Sequence, residues 1–128
     1  MKRFFAIGVV LLVVIGIARS AGSLDCDNAN TTVDMKQCAQ IEYDKADKEL
    51  NDAYKKVMTA VKASGNPKAK DKLVAAQRAW IDFRDKDCAF EASVFEGGTI
   101  YGLIYTGCLT TRTQTRTQEL LSFVDMWK

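Results

Sequence analysis

Histidine is absent from the 128-residue chain, and proline occurs once, at Pro67. Without an imidazole there is no histidine general base and no His-ligated metal site. One proline among 48% hydrophobic residues also excludes a wholly disordered polymer. Charge of neither sign dominates, with 18 basic residues, 16 acidic residues and a formal net charge of +2. Lys2, Arg3 and Arg19 fall in the first 20 residues, and without that segment 15 basic residues face 16 acidic ones. A strongly basic nucleic-acid-binding surface is therefore not indicated. No nucleophile elbow, phosphate loop or compact metal-ligand motif occurs, and nothing calls for a cofactor.

The first 20 residues read as a signal peptide. Lys2 and Arg3 precede fourteen uncharged residues, Phe4 to Ile17, and Ala18-Arg19-Ser20 supplies small residues for cleavage after Ser20. The apolar run is shorter than the about 20 residues that a membrane-spanning helix needs, so membrane attachment would come only through an uncleaved segment. Residues 21–128 are left as one domain, periplasmic or secreted. Four cysteines follow, Cys26, Cys38, Cys88 and Cys108. An even number in a short exported chain reads as two disulfides. Cys26–Cys38 with Cys88–Cys108 closes two short local loops and is favoured. The rival, Cys38–Cys88, would cross-link the open end of a helical hairpin.

Helical periodicity runs through the remainder. From about Val33 to Lys62, Tyr43, Ala46, Leu50, Ala53, Tyr54, Val57, Met58 and Val61 recur at threes and fours. Thr31 or Thr32 can cap this helix, with Asp34 in a capping-box position. Ser64-Gly65-Asn66-Pro67 breaks it, and Asn66 with Pro67 starts the next helix. That second helix is expected from about Pro67 to Phe95, antiparallel to the first. Apolar residues on both its flanks, Val74, Phe83, Phe90, Val94 and Phe95, suggest contact with more than one neighbour. Gly97-Gly98 stops it. Thr99 to Leu109 reads as a short helix or packed loop, with two strands as the alternative. A last helix is expected from Leu109 or Thr110 to Met126, despite five threonines in the eight residues from Thr110 to Thr117. The fold class is all-α: a small antiparallel bundle of three main helices with a Gly-interrupted connection and two disulfides.

Asp47, Asn51 and Tyr54 share one helix face, and Gln77, Arg84 and Cys88 share another with Trp80 between them. The structural reading is a polar network at the hairpin interface, in which Asp47 pairs with Arg84 while Asn51 and Gln77 satisfy nearby polar groups. A buried arginine needs such a partner. The functional reading is a polar patch that meets a protein partner. Trp80 and Trp127 read as core anchors. Glu96, Gly97, Gly98 and Thr99 form a helix stop whose second reading is an exposed loop for partner binding, since adjacent glycines permit close approach.

The order of several short stretches resembles the DUF1311 family, described as the lysozyme inhibitor LprI-like N-terminal domain family. They are Thr32 to Cys38, Glu42-Tyr43 with Asp47, Glu49-Leu50-Asn51 and Tyr54, Leu73, Ala76 to Ile81, and Phe83-Arg84-Asp85. Cys88, Glu96 to Ile100, Cys108, Arg116-Thr117 and Glu119-Leu120 continue the pattern. The resemblance implies a small, exported, helical protein of the bacterial envelope, and lysozyme inhibition by at least some members.

Two non-catalytic functions follow as expectations. One is inhibition of lysozyme or another basic cell-wall hydrolase. Residues 25–52 hold eight acidic side chains against three lysines, an asymmetry that would steer encounter with a cationic enzyme. The other is a structural or adaptor role at the cell surface, with homodimerisation through unused apolar surface. Catalysis is the least supported. Asp82 with Asp85, or Asp85 with Asp87, could form a glycosidase carboxylate pair, but their interleaving with Arg84 and Lys86 better fits a charge-paired helix.

Overall fold

The computed structural model describes residues 24–127. The expected export segment at 1–20 lies outside the described residues. Three long helices follow one another: α1 (Thr32–Ala63), α2 (Pro67–Ala92) and α3 (Tyr101–Met126), with a 3-10 turn, Ser93–Phe95, after α2. No strand occurs among the described residues.

Local chemistry sets the helix starts. The Thr31 hydroxyl oxygen accepts from the Asp34 backbone N–H at 3.1 Å and donates to the Asp34 carboxylate at 2.7 Å. Thr31 is thus the N-cap, but the Asp34 carboxylate reaches its hydroxyl rather than its backbone N–H, so only half of the expected capping box forms. Asn66 accepts from the Ala69 N–H at 3.1 Å, and Pro67 occupies the first turn, where its missing donor leaves no bond unmade. Before α1, the Asp25 carboxylate accepts from Asn28 Nδ2 at 2.8 Å and from the Asp27 N–H at 3.0 Å. The Asn28 bond, then the Asp27 backbone bond, holds the Asp25 pKa below the usual carboxylate value.

The longest interface is between α1 and α3, and α2 packs on both. Cα-level approach of α1 to α2 is much the weaker, so the hairpin is splayed rather than tightly zipped. Tyr43 of α1 meets Tyr105 and Leu109 of α3, while Val57 and Val61 sit with Leu120, Val124 and Trp127. Helices α1 and α3 therefore run parallel, and α2 runs antiparallel to both. The buried stripe of α1 is Ala46, Leu50, Ala53, Val57 and Val61, as the periodicity predicts. Facing it on α3 are Cys108, Leu109, Thr113, Thr117 and Leu120. Small residues on both sides, Ala46 and Ala53 against Thr113 and Thr117, let the two backbones come close.

Helix α3 begins at Tyr101, eight residues before the predicted start at Leu109. Residues 101–109 are helical, not strand or loop, and three tertiary features hold them. Tyr101 stacks on Tyr105 one turn later, with centroids 6.2 Å apart. Cys108 is bonded to Cys88, and Leu109 is buried beside them. The threonine run is helical too, with its hydroxyls folded back onto the helix. Thr110, Thr111, Thr115 and Thr117 each donate to the carbonyl four residues earlier, at 2.9–3.2 Å. Helix α2 proper ends at Ala92, and the expected last turn to Phe95 is tightened to 3-10.

Both favoured disulfides form. Cys26–Cys38 ties the lead-in to the first turns of α1, and Cys88–Cys108 joins α2 to α3 across their connection. Free cysteines are absent among the described residues. No described helix is long and apolar enough to cross a membrane.

Candidate functional site

Two arginines from different helices enter the interface. Arg84 is 7% exposed. Its guanidinium pairs with Asp85 at 2.8 Å and donates to the Thr113 hydroxyl at 3.4 Å. It also lies 5.7 Å from the Tyr43 ring centroid and 5.2 Å from that of Trp80. Arg116 of α3 continues the series. It lies 6.0 Å from both the Trp80 and Phe123 centroids, donates to Gln77 Oε1 at 3.2 Å and pairs with Glu119 at 2.8 Å. Tyr43, Arg84, Trp80, Arg116 and Phe123 thus alternate ring and cation along the bundle. Each cation is placed within reach of two ring quadrupoles and has one carboxylate for its net charge. Burial, opposed by the nearby Arg84 charge and assisted by Asp47 and Asp85, raises the Tyr43 pKa above its usual value.

The ion pair of Arg84 is with its neighbour Asp85, not with Asp47 as the face pattern suggested. Asp47 instead accepts from Asn51 Nδ2 at 3.1 Å, and the same amide donates to the Asp47 backbone carbonyl at 2.9 Å. Asp47, Asn51, Tyr54, Gln77 and Arg84 do come together, as lining of one cleft of about 320 Å³ between α1 and α2. Within it Gln77 and Arg84 are buried, Asp47 and Tyr54 half-buried and Asn51 exposed. Asp85, Thr113 and Arg116 complete the network, to which the sequence did not assign them. An arginine inside the otherwise apolar or small stripe Leu109, Thr113, Leu120, Phe123 was the available signal for Arg116. Face periodicity could not give Asp85, because adjacent helical residues do not share a face; its signal was the charge alternation with Arg84 and Lys86.

The acidic residues considered for catalysis each face a cation. Asp82 pairs with Lys86 at 2.9 Å, Asp85 with Arg84 at 2.8 Å and Asp87 with Arg112 at 2.7 Å. The described residues contain no group of three or more potential metal ligands.

Glu96, Gly97, Gly98 and Thr99 form an exposed turn between α2 and α3. Gly97 has φ +77°, a conformation unfavourable to a side chain, and a Cβ on Gly98 would sit 3.1 Å from the Phe95 carbonyl oxygen. The Gly98 N–H donates to that carbonyl at 2.9 Å. The two glycines therefore set a defined turn. Beside it, Phe90 is 78% and Val94 82% exposed, and Phe95 and Ile100 are also exposed. Phe83 lies on the same stripe of α2 two turns earlier and is exposed as well. Helix α2 does contact two neighbours, α1 and α3, as its composition suggested, yet this part of its apolar flank faces solvent.

These features define a small, disulfide-braced, all-α protein with a half-buried arginine–aromatic ladder and one apolar end. The chain belongs to the lysozyme inhibitor LprI family, whose pattern matches residues 25–120. It is 34% identical to an uncharacterized protein of Rhizobium meliloti (strain 1021), R02472, with 79% of each chain covered. It is 32% identical to the uncharacterized protein YecT of Escherichia coli (strain K12), over 75% of this chain and 69% of that one. A DUF1311 family protein of Pseudomonas putida KT2440, solved as a crystal structure, shares the fold with a TM-score of 0.69. That match has 24% identity and covers 76% of this chain and 97% of the other.

Proposed function

We propose that this protein is an exported, non-catalytic binding protein that inhibits a lysozyme or a related cationic peptidoglycan hydrolase. Membership of the lysozyme inhibitor LprI family carries the reading. Two disulfides support an oxidising compartment outside the cytoplasm, where residues 1–20 would deliver the chain and then be removed.

Glu96, Gly97, Gly98 and Thr99 are the contacts we assign to the enzyme. They sit at an end stiffened by Cys88–Cys108, so little conformational freedom is lost on binding. Phe90, Val94, Phe95 and Ile100 supply apolar area around the turn, of the kind that marks interaction sites. The acidic first half of α1 lies at the same end, since Lys36 of α1 packs beside Gly102 of α3. Its field would draw in a cationic enzyme and raise the association rate.

A dose–response titration of purified mature protein against several lysozymes tests this, with an unrelated protein of matched acidity as control. Saturable inhibition near one-to-one stoichiometry, absent from the control, is the expected outcome. No inhibition of any lysozyme, with a different envelope protein copurifying, would replace the proposal with an adaptor role.

A further inference from the structure

The hinge end of the bundle, opposite the Glu96–Thr99 turn, holds a second and larger cavity. Helix α2 separates the two ends by about 39 Å, at 1.5 Å for each of its 26 residues. The splay between α1 and α2 opens a space of about 520 Å³, walled mainly by Val57, Val61, Leu73, Phe123 and Trp127. That volume lies inside the about 300–1,000 Å³ typical of small-molecule sites. Three cations line it, Lys68, Lys72 and Arg116, and no carboxylate does. Arg116 is committed to Glu119 and Gln77. Among the described residues Lys68 and Lys72 have no acidic partner. The first turn of α2 at the cavity mouth also contains no acid.

An apolar groove, open to solvent and edged by two unpaired ammonium groups, matches one chemistry, an apolar chain ending in a small anion. We propose that this cavity binds a free long-chain carboxylate, with its acyl chain against Val57, Val61, Phe123 and Trp127 and its carboxylate at Lys68 and Lys72. This function is separate from enzyme inhibition and does not depend on it.

Calorimetric titration of the disulfide-intact protein with submicellar dodecanoate tests the proposal. Decanoate, dodecyltrimethylammonium and phosphatidylglycerol vesicles serve as the other arms. Saturable one-to-one binding of dodecanoate is expected, weakening about fourfold for each methylene removed. The cationic amphiphile should bind at least about tenfold more weakly, given the repulsion of like charges. The double variant Lys68→Glu/Lys72→Glu should lose about tenfold or more in dodecanoate affinity at an unchanged melting temperature, since both side chains are exposed. Ala76→Trp, which places a ring in the groove, should also abolish uptake. Equal affinity for both amphiphiles, full affinity in the double variant, or binding of vesicles alone would overturn the proposal. So would a dimer that shields Trp127 and takes up no dodecanoate, because the groove would then belong to a second copy.

Discussion

Replacing Arg84 separates the role of its charge from the role of its volume. The guanidinium is buried, whereas its carboxylate partner Asp85 is 46% exposed. Loss of the cation therefore leaves Asp85 to water rather than stranded, and the pair contributes about 1 kcal/mol. The two ring contacts, at 5.7 and 5.2 Å, add about 1 kcal/mol each in this desolvated setting. Arg84→Ala should then cost about 3 kcal/mol or somewhat more once the unfilled space is included. Arg84→Met refills the volume and relieves the burial of a charge, so its cost should fall to about 1–2 kcal/mol. Asp47→Ala should cost no more than about 0.5 kcal/mol, since it loses only the carboxylate's bond from the exposed Asn51 and keeps the one to its backbone carbonyl. Urea melts followed by far-UV circular dichroism give all three values. In thermal melts the alanine variant should drop by about 10–20 °C for a domain of this size. An Asp47→Ala loss as large as that of Arg84→Ala would refute the assignment of Asp85 as partner. So would an Arg84→Ala protein that melts with the wild type.

The remaining expectations concern sulfur, pH and the exposed turn. Loops closed by bonds 12 and 20 residues apart should make each disulfide worth about 3 kcal/mol through the unfolded chain. Cys88→Ala/Cys108→Ala should cost more than Cys26→Ala/Cys38→Ala, because both of its sulfurs sit in the core while Cys26 is exposed; paired denaturant melts compare them. Burial favours the neutral Tyr43 phenol in the folded state, so its contribution is intact below about pH 10 and is lost as pH rises through the raised folded value. Tyrosinate absorbance recorded alongside stability should show that alkaline loss, and Tyr43→Phe should reduce it. Glu96→Ala and Thr99→Ala should melt like the wild type yet inhibit lysozyme less. Phe90→Asp should weaken inhibition by about thirtyfold or more if Phe90 anchors the interface.

Much of the architecture is readable from residue pattern because local and tertiary preferences agree. Thr31, Asp34, Asn66 and Pro67 mark helix boundaries by local hydrogen bonding alone, and the stripe from Ala46 to Val61 is the buried face. The start of α3 is not readable in that way. Gly102, Gly107 and the threonine run argue against helix locally, and what overrides them is tertiary: the Cys88–Cys108 bond, the buried Leu109 and the parallel packing on α1. The polar cleft is half legible. Face periodicity brings Asp47, Asn51, Tyr54, Gln77 and Arg84 to one place. It cannot show that Arg84 reaches Asp85, because a long flexible side chain chooses its partner by local geometry. The exposed Phe83, Phe90 and Val94 illustrate a further limit, since an apolar flank reads alike whether it is covered by the same chain or by another.

Hydrogen–deuterium exchange of the mature protein, alone and with saturating lysozyme, tests the recognition proposal most directly. Slowed exchange concentrated in Phe90–Ile100 and the neighbouring first half of α1 is the expected result. Protection confined to the hinge end around Asn66 and Trp127, or none anywhere at saturating enzyme, would contradict it.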